Sequence, residues 1–118
     1  MIVVEFDNGF AIKCDLVLSY SKKIAGLKSF SSLPEGHGLW FTFDTPGYYM
    51  FWNKDVDFPI DLLFLRDMEV NTIASLDADS SKIVMPSAKS DFVIEVNRGE
   101  LEKGGLSVGS KIVKIKNE

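Results

Sequence analysis

Lys54, Asp61 and Glu95 carry the chemistry that most needs explaining, because each stands in or beside a strongly apolar run. Lys54 ends FWNK, Asp61 lies at the start of IDLLFL and Glu95 sits inside FVIEV. A carboxylate in such a place must be paired, hydrogen-bonded or solvated, since burying it bare is costly. One arrangement is structural: Lys54 faces Asp61 or Glu95 across the charged bend at 55–58, and the carboxylates accept backbone N–H groups that fix the loop 53–59. The other is functional: the three line a cleft beside Trp52 and Trp40, where paired carboxylates could exchange a proton or hold a hydroxylated ligand. Asp55 and Asp57 read as solvated bend residues.

The remaining reactive types are few. His37 has the one side chain with an unperturbed pKa near neutrality, and it sits in a loop rich in Pro and Gly. Trp40 and Trp52 have faces that could stack on a sugar or a base, or simply fill a core. One cysteine and one histidine cannot assemble a structural zinc site, and Cys14 has no partner for an internal disulfide. DADSS at 77–81 lacks the glycine and the distal glutamate of a calcium loop. Gly109-Ser110-Lys111 lacks the upstream glycine spacing of a phosphate-binding loop, and there is no Gly-x-Ser-x-Gly elbow. The expectation is therefore no metal and no cofactor.

The elements that would position these residues follow a period of two. Ile2, Val4 and Phe6 alternate with Val3 and Glu5. Phe10, Ile12, Cys14, Leu16 and Leu18 alternate with Ala11, Lys13, Asp15 and Val17. Asp7-Asn8-Gly9 between them predicts a hairpin of residues 2–6 and 10–18, with Cys14 pointing into the core. A short helix is expected from Ser19 or Ser21, carrying Ile24 and Leu27 inward. Residues 39–54 read as a second hairpin turning at Pro46-Gly47, with Tyr48, Met50, Trp52 and Lys54 on one side of the returning strand. IDLLFL, EVNTIASL, KIVMP, FVIEV and KIVKIK are further strands. A helix of one or two turns is expected within 98–106, ended by Gly104-Gly105. Lys111, Lys114 and Lys116 read as guards against pairing at a terminal edge. Together these predict a mainly β, single-domain sandwich or partly closed barrel of short, mostly antiparallel strands with one or two short helices.

Composition narrows the classes of function. With 118 residues the chain has one modest core, and with 46% apolar and 25% charged residues it is globular. A net charge of −4 argues against the broad basic surface that nonspecific nucleic-acid binding requires. No stretch approaches the roughly 20 apolar residues of a membrane helix, and no secretory signal opens the sequence. A soluble, cytoplasmic protein without nucleic-acid or membrane partners is expected.

Several stretches resemble one family in order and spacing. They are Gly26-Leu27, LPEGHGLWFTF at 33–43, FWNK at 51–54, PIDLLFL at 59–65, and FVIEVNRG followed by GGLSVGSKI. The family is domain of unknown function 192, whose pattern includes GLM, GMLFVF, FWMKNT-x-x-PLDILFI, VLE-x-x-AG and GI-x-x-GD. The resemblance spans roughly residues 20–113, and FW-x-K followed by P-[IL]-D is its specific part. It implies a compact mainly β domain with Trp52, Lys54, Asp61 and Glu95 as matching positions, and it implies no established reaction. The sequence departs from the pattern at Lys28 for Met, Asn53 for Met, Asp55 for Asn, Val56 for Thr and Ser110 for Asp. The leading expectation is a binding or accessory domain for a small polar ligand, with Trp52, Lys54, Asp61, Glu95, Trp40 and His37 as candidate contacts. The alternatives are a hydrolase working through Asp61 and Glu95, and a homo-oligomeric module using the KIVKIK edge or the aromatic hairpin.

Overall fold

Alternation of apolar and polar residues builds one seven-stranded sheet, seen in a computed structural model that describes residues 1–17 and 33–118. The strands are β1 (Ile2–Phe6), β2 (Ala11–Val17), β3 (His37–Gly47), β4 (Ile60–Arg66), β5 (Glu69–Leu76), β6 (Ser90–Asn97) and β7 (Ile112–Asn117). Their spatial order is β5-β4-β6-β3-β2-β1-β7. All neighbours are antiparallel except β2 and β3, which run parallel with Lys13 beside His37 and Val17 beside Phe41. A single-turn helix, α1 (Glu100–Lys103), follows β6. The helix expected near residues 19–28 lies outside the described residues. No helix among the described residues is long and apolar enough to cross a membrane.

The sheet curls until its ends meet at one corner. Glu69 on β5 bridges to Lys111 just before β7, the Val70 N–H donates to the Ser110 carbonyl at 2.9 Å, and the Ile112 N–H donates to the Met68 carbonyl at 2.8 Å. The expected partly closed barrel is thus a curled half-barrel. The turn that brings β5 to this corner is tight. Asp67 (φ 51°) and Met68 (φ 68°) both adopt left-handed backbone, as a two-residue hairpin turn matched to the strand twist demands.

Two apolar clusters occupy the two faces. On one, Val4, Phe6, Ile12, Cys14, Trp40, Leu63, Leu65, Phe92, Ile94 and Val96 pack with Leu101 and Leu106 around α1. On the other, Leu39, Phe41, Ile60, Leu62, Phe64 and Val93 pack beneath Phe51, Val56 and Phe58. β4 is buried on both sides, which is why IDLLFL is apolar throughout. The first hairpin forms with the register Ile2↔Cys14 to Glu5↔Ala11. Cys14 is buried as expected, whereas Leu16 on the same face is about half exposed, because it lies beyond the end of the β1 pairing.

The second expected hairpin is corrected. Both edges of β3 carry partners, β2 as far as Phe41 on one and β6 as far as Thr42 and again at Gly47↔Ser90 on the other. The returning limb does not pair with β3 and crosses over the sheet face instead. Tyr49 swings back to stack on Phe43 (centroids 3.7 Å apart, planes within 8°), and its hydroxyl donates to the Thr45 carbonyl. KIVMP is likewise reduced to one bridge, with Phe51 and Val84 exchanging both backbone hydrogen bonds at 2.9 Å.

Two expected outcomes follow. A Cβ placed on Gly38 would lie 2.9 Å from the Glu95 carbonyl oxygen on β6, with Val96 and Ile12 methyls 3.1 and 3.2 Å away. Gly38→Ala should therefore cost about 1–3 kcal/mol in urea denaturation, as overpacking does. Burial, with a smaller push from Asp15, raises the Cys14 pKa to about 12 from 9.0. The native state keeps the proton that the unfolded chain loses, so this contribution is intact below pH 9 and declines from pH 9 to 12. Replacing Cys14 by Val should flatten that part of the stability profile relative to wild type.

Candidate functional site

Strand parity separates the two carboxylates. Asp61 on β4 pairs with Val96 and Ser75 and points to the face of Leu63 and Leu65. Glu95 on β6 pairs with Leu39 and Leu62, so it points to the opposite face, under Phe51, Val56 and Phe58. The two residues are neighbours in the ladder yet lie on different sides of the sheet. Glu95 is 0% exposed.

The Asp61 carboxylate is committed within the fold. One oxygen accepts the Ser75 hydroxyl at 2.6 Å and the other accepts the Gly99 N–H at 2.9 Å. Gly99 caps α1 with φ 95°, and the preceding Arg98 N–H reaches the Pro59 carbonyl at 3.3 Å. Asp61 thus ties the start of β4 to the turn that leaves β6. The expected role of such a carboxylate is to fix the loop 53–59; Asp61 instead accepts from Gly99 and Ser75. Lys54 is exposed and, among the described residues, forms no ion pair with Asp61.

The bend after Lys54 is held by its neighbour. Asn53 is fully buried, and its amide nitrogen donates to the carbonyls of Phe58 (2.8 Å) and Asp77 (2.9 Å). The Asp79 N–H donates to the Val56 carbonyl and the Asp55 N–H to the Asp79 carboxylate, both at 2.8 Å. Asp55 (φ 65°) and Asp79 (φ 50°) take left-handed backbone at this crossing. Arg98 closes the far side with a 2.7 Å pair to Asp77. A thioether at position 53 could make neither amide bond, so Asn53 sets this chain's own loop geometry.

The aromatic candidates also divide. Trp40 is buried, stacks on Phe92 (4.3 Å, 12°) and donates its indole N–H to Thr42 at 2.9 Å. It is a core residue. His37 begins β3, half-buried, paired in register with Lys13. Trp52 is the exception, 45% exposed, and with Met50, Phe51 and Ile83 it lines an open cleft of about 200 Å³. The expected alternation survives without the expected strand: Tyr48, Met50, Trp52 and Lys54 are all exposed, while Phe51 and Asn53 are buried. Ile83 and Met85 flank Val84 and are exposed in the same way. These two were overlooked as surface residues; the signal for them was the period of two in KIVM. No cluster of three or more metal-ligating side chains occurs among the described residues.

Taken together, a curled half-barrel sheet with a strap bound across one face defines a small all-β domain. The chain belongs to the DUF192 family, described as "Uncharacterized ACR", whose profile it matches over residues 3–114. No curated protein matches it significantly. Among solved structures it is similar to a "putative transcription regulator" from Sinorhizobium meliloti 1021. The identity is 24%, the TM-score 0.84, and 95% of this chain and 90% of that one are covered. It is also similar to a protein of unknown function from Novosphingobium aromaticivorans DSM 12444, with 22% identity, TM-score 0.84, and 96% and 83% of the two chains covered. At these identities the likeness is one of fold.

The Asp61 anchor is open to a direct test. Asp61→Ala leaves the Gly99 N–H and the Ser75 hydroxyl without their acceptor and should cost about 1–3 kcal/mol in chemical denaturation. Asp61→Asn keeps one acceptor oxygen and should cost less. Faster exchange of the Gly99 amide in the Ala variant would locate the loss.

Proposed function

We propose that the chain is a binding or accessory domain whose recognition surface is the cleft of Met50, Phe51, Trp52 and Ile83. The observation that carries this reading is the half-exposed indole of Trp52, flanked by the exposed side chains of Met50 and Ile83. The core has no need of these side chains, since Phe51 and Val84 of the same crossing face inward and do the packing. A π-face with a thioether and a branched aliphatic beside it suits a small polar ligand that has one flat apolar side, such as a sugar ring or a heteroaromatic ring. Lys54, two residues beyond Trp52, supplies a charge for the ligand's polar edge.

The other candidates fit this reading less directly. Asp61 supports the scaffold, and Trp40 fills the core. A hydrolase acting through Asp61 and Glu95 finds little support, because general acid–base partners must face one cleft. The acidic balance of the chain favours a ligand other than nucleic acid, and a cytoplasmic setting accords with a single buried thiol.

The test is a fragment titration followed on the methyl groups of Met50 and Ile83, using monosaccharides and small heteroaromatic compounds. The expected result is saturable shifts at these methyls for at least one class, weakened about tenfold or more by Trp52→Ala. Stacking losses of about 1–3 kcal/mol per ring set that scale. Shifts confined to other residues, or unaffected by the Trp52 change, would overturn the proposal.

A further inference from the structure

Among the described residues β7 is an edge strand of the sheet. Its inner side pairs with β1 from Ile2↔Asn117 to Phe6↔Ile112, with a bulge at Val113. Its entry closes against β5 through Glu69↔Lys111 and the Ile112 bond to Met68. From Val113 to Asn117, no element among the described residues pairs with the outer side. The opposite edge, β5, is better covered: the Ser87 N–H donates to the Thr72 hydroxyl at 2.8 Å, and Asn71 reaches the Lys89 carbonyl and the Ser90 hydroxyl.

The phase of the ladder says which backbone groups are on offer. The Glu118 N–H donates to the Met1 carbonyl at 3.2 Å. Bonded pairs recur at every second residue of an antiparallel ladder, so Lys116 and Lys114, opposite Val3 and Glu5, turn their backbone toward β1. Ile115 and Asn117 therefore direct their N–H and C=O groups outward. The side chains around them alternate between basic and apolar. Lys114 and Lys116 are exposed, and so are Val113 (61%) and Ile115.

This pattern disfavours a second copy of the chain as the occupant. A two-fold axis through the outer edge brings β7 antiparallel to its twin. Centred on residue 115 it sets Lys114 against Lys116 twice; centred on 114 or 116 it sets a lysine against its own copy. A register slipped to 117, which matches Lys116 with Glu118, overlaps only the end of β7. Like charges directly opposite one another destabilise a strand pair. A strand with carboxylates at alternate positions meets no such penalty, and apolar residues between them would cover Ile115.

We propose that the outer edge of β7 is a strand-addition site for an extended segment of a partner protein, with acidic residues at every second position and apolar ones between. The main chain of Ile115 and Asn117 supplies the hydrogen bonds, and Lys114 and Lys116 choose the partner's charge. The site is separate from the Trp52 cleft, so each proposal stands or falls without the other.

The test uses the intact chain and two synthetic peptides, one alternating Val with Glu and one alternating Val with Lys, followed by amide hydrogen exchange. The Glu peptide should slow exchange at Ile115 and Asn117 by tenfold or more, with an effect that weakens as salt is raised, and the Lys peptide should leave both amides unchanged. The double variant Lys114→Glu with Lys116→Glu should reverse that preference. Equal protection by both peptides, or none by the Glu peptide at millimolar concentration, overturns the proposal. So does protection that rises with protein concentration alone, which would mean self-association, or stronger protection by a uridine oligonucleotide than by the Glu peptide. These wild-type arms decide the matter even where the double variant folds poorly.

Discussion

A β-strand has two hydrogen-bonding edges, and β3 uses both. β2 pairs along one as far as Phe41, and β6 along the other as far as Thr42 and again at Gly47. Everything that follows residue 47 is constrained by that occupancy. The chain does not continue the sheet beside β3; residues 48–59 cross the face and re-enter the sheet only at β4, on the far side of β6. The crossing creates the second apolar cluster, because Phe51, Val56 and Phe58 must be buried against something and the sheet face offers Phe41, Ile60, Leu62 and Phe64. It also gives the domain its exposed indole, because period-two alternation along a strap that buries Phe51 must turn Trp52 outward.

The same geometry explains how a modest core tolerates so many polar residues in its most apolar stretch. The Asn53 amide donates to the carbonyls of Phe58 in the strap and Asp77 in the loop at 77–80. Asp61 holds the N–H of the left-handed Gly99 and so fixes the path from β6 into α1. In both cases a buried polar side chain is stable because it answers a backbone group, which costs less than leaving either one unpaired. The surface ion pairs are a different matter. Lys13–Glu118, Arg98–Asp77 and Lys111–Glu69 all lie among well-exposed side chains and contribute little to stability.

Much of this was legible in the residues. The Asp-Asn-Gly hairpin, the burial of Cys14 and β4, the helix stopped by Gly104-Gly105 and the lysine-bearing edge strand all depend on local pattern, and each formed where expected. The assembly of the candidate site was not legible. Trp52, Lys54 and Asp61 belong to one short family motif and Glu95 to another, yet they occupy the outside of a strap, a strand start and the two opposite faces of the sheet. Spacing within 51–61 says nothing about which face β6 will turn toward β4, and that choice separates Glu95 from Asp61.

The residues alone therefore determined most of the strands, which side chains are apolar enough to be buried, and that this is a small, mainly β domain. Those properties follow from side-chain alternation and turn chemistry, which act over a few residues. Only the tertiary structure decided that residues 48–54 would be a strap and not a strand, that Asp61 would answer Gly99, and that β7 would lie at an edge of the sheet. Those outcomes depend on which strand edges are already occupied by segments distant in sequence, and no local pattern records that occupancy.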